Sequence, residues 1–165
     1  MTDPGPTDEG RHETTLERYD RNWRDIQQEL RITQTGTQLL AGFLLTLPFQ
    51  NRFTTLSDGQ IAVYLALVVL AATVSILALA PVSAHRVLFQ KHRIADLVVV
   101  SNRILMICLA ASSILFAGTV LLIFDVVLGR TLGLASGIVL FLATAALWIG
   151  VPLRLRSRAR SGTRN

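Results

Sequence analysis

The chain has 165 residues, of which 51% are hydrophobic and 16% charged, well under the quarter that is usual for soluble domains. Lys and Arg outnumber Asp and Glu by 16 to 11 and the pI is about 10.6, yet the basic surplus flanks apolar blocks of about 20 residues, which points to a bilayer and away from nucleic acid. The single cysteine, Cys108, lies inside one of those blocks, so a disulfide framework and a zinc site are excluded and it reads as an apolar filler.

Residues 1–12 are rich in Pro, Gly and acid and are expected to form a disordered tail. The first 29 residues carry eight acidic side chains and no apolar stretch, so no cleaved signal peptide is expected and the first span serves as the insertion signal. Over residues 13–29 an amphipathic helix is predicted, because Leu16, Tyr19, Trp23, Ile26 and Leu30 recur at spacings of 3, 4, 3 and 4. Two readings of this stripe stand. It is an interfacial helix on the cytoplasmic leaflet that then turns in, or a short coiled coil that makes a homodimer.

Four spans follow. Residues 30–49 form the first and least apolar, with Pro48 and Gln50-Asn51-Arg52 at its outer end. Residues 60–80 form a charge-free second span stopped by Pro81, and residues 97–124 the third. A tight turn over 125–130 leads to the fourth span, 131–151, stopped by Pro152 and followed by a basic tail, 153–165. The predicted fold is all-α: a four-helix transmembrane bundle over residues 30–152 with an N-terminal amphipathic interfacial helix.

Fourteen Lys and Arg residues fall on the side of the N-terminal segment, the loop between spans two and three, and the tail, whereas Arg52 and Arg130 alone face the other side. The positive-inside rule then makes this a multi-pass protein of the cell membrane with both termini cytoplasmic. The tail arginines are placed to touch anionic headgroups, each contributing about 1 kcal/mol near the surface.

The middles of the spans fall near Ala41, Leu70, Ser113 and Phe141, with no acid, base or histidine within about two turns. All 11 acidic residues lie outside the expected hydrocarbon, so the carboxylate that a cation- or proton-coupled carrier needs near the midplane is missing. No phosphate-binding Gly-rich loop, nucleophile elbow or metal-binding helix motif occurs, and His12, His85 and His92 are isolated. No enzyme activity, cofactor or metal is expected.

Polar residues instead collect at the cytoplasmic end. Gln27, Arg31, Gln34 and Gln38 share one face of the first helix, and Asp96 and Arg103 lie two turns apart on the third, with Asn102 adjacent. These faces are predicted to meet, with Arg103 held by Gln34 or Gln38 and by Asp96. That cluster would serve as a polar pocket for an anionic headgroup or as a regulatory contact; alternatively Arg31 and Arg103 snorkel to the interface. Small residues set the expected packing: Gly133 and Gly137 form a GxxxG, Ala146 and Gly150 a second small pair, and Cys108, Ser112, Ser113, Ala117 and Gly118 a small face on the third span.

The stretch ELRITQTGTQLLAGFLLTLPFQNRF at residues 29–53, HRVLFQ at 85–90 and SNR at 101–103 resemble an uncharacterised family of small four-span membrane proteins found in actinobacteria. The resemblance covers residues 21–151 and implies the four-span fold. Some members carry a sodium:proton antiporter label, and no catalytic residues are assigned. Gln34, Gln38, Pro48, Phe49, Arg52, Phe53, His85, Arg86 and Arg103 are the family-like positions. The expected function is a non-enzymatic membrane scaffold, regulator or accessory subunit with a protein partner of unknown identity. A small cation or proton transporter is the disfavoured alternative, for want of a midplane carboxylate.

Overall fold

A computed structural model of the chain describes residues 14–88 and 94–150, so the expectations for residues 1–12, for His92, for Pro152 and for the basic tail lie outside it. Helix α1 spans Thr15–Thr46. It opens on a capping box: the Thr14 hydroxyl accepts from the Glu17 amide at 3.3 Å, and the Glu17 carboxylate accepts from the Thr14 amide at 2.8 Å. No proline interrupts the next 32 residues, so the amphipathic segment and the expected first span are one straight run of helix rather than a surface helix that turns in. Pro48 cannot extend it, and two short 3₁₀ segments, Leu47–Phe49 and Asn51–Thr55, carry the chain over.

A second capping box, Ser57 with Gln60, starts helix α2, Asp58–Leu88. Pro81 does not stop this helix; it is buried inside it, and packing against the neighbouring helices outweighs the one amide it withholds. Helix α3, Ile94–Leu128, runs four residues beyond the expected end of the third span. The turn to helix α4, Arg130–Ala145, is Gly129 alone, at φ 95° and ψ 167°. That region is open to glycine only, which lets two long helices reverse direction across one residue. Past Ala145 the helix widens to a π-helical turn, Ala146–Gly150.

The stripe of α1 is covered by protein. Trp23, Ile26 and Leu30 are 7%, 7% and 4% exposed, and Ile26 and Leu30 pack with Val74, Ala78, Leu105 and Cys108. A coiled coil through the same stripe would have to expose it first. Further along, Leu44 packs with Tyr64, Leu67, Leu115 and Leu122, and Phe53 meets Tyr64 edge-on with ring centroids 5.2 Å apart. From these partners α1 runs parallel to α3 and antiparallel to α2. Helix α4 packs chiefly on α3, beside the three-helix core rather than within it.

Three helices are long and apolar enough to cross a membrane: Asp58–Ala84, Leu97–Leu128 and Arg130–Trp148. Helix α1, expected as a fourth, falls short by composition. Arg31, Thr33, Gln34, Thr35, Thr37 and Gln38 delay its apolar run until Leu39, and Pro48 closes it. The outer surface is apolar, with Val69, Ile76, Met106 and Val139 all at least 60% exposed, a distribution that suits lipid rather than water.

Candidate functional site

Two helical faces converge at the end of the bundle where α1 and α3 begin. On α1, Asn22, Asp25, Ile26 and Glu29 recur every three or four residues, and on α3 Val98, Val99, Asn102 and Arg103 do the same. Together they line a cavity of about 500 Å³. Asp25, Glu29, Asn102 and Arg103 are all exposed, and among the described residues no ion pair or hydrogen bond joins one wall to the other. The Arg103 guanidinium, permanently charged, thus faces two carboxylates one helical turn apart across open space.

This differs from the polar cluster expected from sequence. Asn102 and Arg103 take part, but Arg31, Gln34 and Gln38 do not line the cavity; Arg31 and Gln38 are exposed and Gln34 is half-buried. Nothing can be placed for the Asp96 side chain, which lies outside the described ones. The reason is register. The Thr37 and Ser112 hydroxyls lie 3.2 Å apart, which sets Arg103 level with about residue 28 of α1. Gln34 and Gln38 then sit about 9 and 15 Å deeper than Arg103, at 1.5 Å per residue. The sequence does contain Asn22, Asp25 and Glu29 at helical spacing beside the apolar stripe, but nothing local says that this flank, and not the Gln face, turns toward α3.

The Thr37–Ser112 contact is itself a polar feature of the bundle's middle. Thr37 is 0% exposed and Ser112 6%. Each hydroxyl supplies the other's partner where lipid would supply none. Most neighbouring hydroxyls are satisfied within their own helix: Thr33 donates to the Glu29 carbonyl, Ser113 to Leu109 and Thr144 to Leu140. Ser101 Oγ, fully buried one turn from Leu105, is the buried side-chain polar atom left without a partner among the described residues. Below the polar cavity, Ile32, Thr33 and Gly36 of α1 and Leu109, Ser112, Ser113 and Phe116 of α3 border an apolar groove of about 390 Å³, walled on the far side by Leu140 and Thr144 of α4 and by Trp148 of the π-helical turn.

At the opposite end of α3, Asp125 faces α4. Its side chain is 5% exposed and accepts from Arg130 at 3.1 Å, Arg130 itself being 60% exposed. Gly133 lies directly over Asp125, where a Cβ would come within 2.8 Å of the Asp125 backbone, and one at Gly137 would meet Leu121 Cβ at 2.8 Å. These two glycines therefore let α3 and α4 touch backbone to backbone. The second small pair behaves differently: Ala146 is exposed and a Cβ on Gly150 would meet nothing within 4 Å, so Gly150 makes no close approach like those at Gly133 and Gly137. Among the described residues no group of three or more His, Cys, Asp or Glu side chains could hold a metal.

Comparison with known proteins gives a family and little else. Residues 12–152 match the profile of a family described as "Family of unknown function (DUF6328)". No curated protein and no solved structure matches.

Proposed function

The chain belongs to this family of unknown function, DUF6328, and from that premise we propose that it is a non-enzymatic, multi-pass protein of the cell membrane serving as a scaffold or regulatory partner. In this reading α1 crosses with α2, α3 and α4, and both termini face the cytoplasm. The observation that carries it is the buried Thr37–Ser112 contact: it ties the C-terminal part of α1, in parallel register, to the middle of a helix apolar enough to span. A polar helix shielded on two sides by apolar ones can cross where the same helix alone could not. The distribution of Lys and Arg, 14 on one side against 2, supports the orientation. Thr37 and Ser112 bond to one another and Ser113 to its own helix, and beside them Gln34 and Gln38 bring amides but no carboxylate to mid-depth, which favours a packing role over ion-coupled transport.

Single cysteines in a Cys108→Ala background test the topology. In intact cells, Ser57→Cys is expected to react with a membrane-impermeant maleimide and Thr14→Cys only after permeabilisation. Equal labelling of both from one side would mean that α1 does not cross. Purified protein in liposomes is expected to leave a proton gradient untouched when sodium is added; dissipation at verified insertion would replace the scaffold reading with a carrier.

A further inference from the structure

The polar cavity and the apolar groove are consecutive stretches of one seam. On α1 the lining positions advance from Asn22, Asp25 and Glu29 in the cavity to Ile32, Thr33 and Gly36 in the groove. On α3 they advance from Val99, Asn102 and Arg103 to Leu109, Ser113 and Phe116. The α1 series shares one face, on α3 Asn102 and Leu109 lie seven residues and so two turns apart on one face, and the two helices run in parallel, so the seam passes from charged to apolar at the same level on both walls. We propose that this seam binds one phospholipid with a zwitterionic headgroup, a primary ammonium joined to a phosphate, with an acyl chain lying in the groove.

The headgroup class follows from the charges. Arg103 offers a planar fork of donors suited to phosphate oxygens. Asp25 and Glu29, four residues apart on the facing helix, accept from a cation that donates several N–H bonds. Two carboxylates against one guanidinium leave the lining net negative, which works against the anionic headgroup that the sequence suggested. A quaternary ammonium lacks the N–H donors and is held best by aromatic faces, of which the cavity lining has none. An ethanolamine-type headgroup therefore fits better than a choline or glycerol type.

The groove suits the chain. Gly36 leaves its floor open, since a Cβ there would meet nothing within 4 Å. The hydroxyls of Thr33, Ser113 and Thr144 donate to carbonyls of their own helices and that of Ser112 pairs with Thr37, so the hydroxyls along the groove are partnered within the protein. Ile32, Leu109, Phe116 and Leu140 supply the apolar walls, and Trp148 stands at the groove as a built-in reporter. The inference rests on the four-crossing reading for the depth of the cavity; maleimide labelling reports that crossing whether or not lipid binds, so the two fail separately.

The test uses the full chain in nanodiscs of choline lipid doped with acyl-brominated lipid of ethanolamine, choline or glycerol headgroup, reading the Trp148 fluorescence lost in a Trp148→Phe control. Ethanolamine lipid is expected to quench at about tenfold lower mole fraction than the other two, the range of a charge-assisted contact. Asp25→Asn with Glu29→Gln should erase that ranking, Arg103→Gln should weaken quenching by all three lipids, and Gly36→Leu should block the chain. Equal quenching by the three headgroups in the unaltered protein overturns the proposal, whatever the variants do. If soluble glycerophosphoethanolamine displaces the brominated lipid as well as ethanolamine lipid itself does, the charge reading survives and the lipid assignment falls.

Discussion

Helix α3 meets its two neighbours in opposite ways. Against α4 it presents Leu121 and Asp125 to glycines, and the backbones close until no Cβ would fit at Gly133 or Gly137. Against α1 it packs through Leu105, Cys108 and Leu115, while the flank that carries Arg103 and Ser113 stays open over about 500 Å³ at one end and 390 Å³ lower down. Close contact between small residues is how helices associate in lipid, where no hydrophobic force draws them together. A flank left open gives space beside that packing, and space lined by charge and then by hydrocarbon is what a bound molecule needs. The α3–α4 contact is made at the backbone, and the open flank of α1 and α3 holds the seam proposed to bind lipid.

Substitutions at the two seams should separate them. Gly133→Leu sets a side chain into the Asp125 backbone, which cannot yield, and is expected to cost about 3 kcal/mol in unfolding by SDS titration. A cost near zero would mean that α4 is not held there. Arg130→Gln should cost about 2 kcal/mol, because it strands the buried Asp125 carboxylate; Asp125→Asn should cost less, because Arg130 keeps its water. The reverse order would show the pair to be solvated on both sides. On the loose seam, Gly36→Ala should be neutral or stabilise by up to about 1 kcal/mol, since it adds a helix former into open space. A double-mutant cycle of Thr37→Val and Ser112→Ala should return a coupling of about 0.6 kcal/mol, the average for such bonds in membrane bundles.

The smallest effect belongs to the capping box. Glu17 accepts from the Thr14 amide and hydroxyl, and these bonds hold its carboxyl below the usual carboxylate range. Its contribution to the first turn of α1 is therefore complete above the ordinary carboxylate pKa and is lost as pH falls through the lowered folded value. Amide exchange at the start of α1 should quicken on acidification through that range while α3 and α4 stay protected. Thr14→Ala should weaken the pH dependence, since the amide at position 14 still donates to Glu17, and Glu17→Gln should abolish it.

The elements were legible in the sequence to the extent that local chemistry decides them. Apolar runs without charge located α2, α3 and α4, and Pro48 located the end of α1. Pro81 misled, because a proline's missing amide is a local cost that burial among neighbours can outweigh. The site was legible only in part. Arg103 stood out as a charge at a membrane edge, but its facing residues depend on the rotation and register of another helix, and α1 offers two polar flanks of similar promise.

The sequence by itself determined that the protein is helical and suited to lipid, since helix length, apolar run and capping act over a turn or two of chain. It also offered a tight turn over 125–130 and a GxxxG at Gly133 and Gly137, while the structure showed that Gly129 makes the reversal and that the two glycines lie against α3. The tertiary structure alone decided that the stripe of Trp23, Ile26 and Leu30 turns inward, and that Thr37 meets Ser112 across 75 residues of chain. Asp25 and Glu29, not Gln34 and Gln38, come to face Arg103 for the same reason. The sliding of one helix along another is set by every contact on the seam together, and no spacing within a single helix records it.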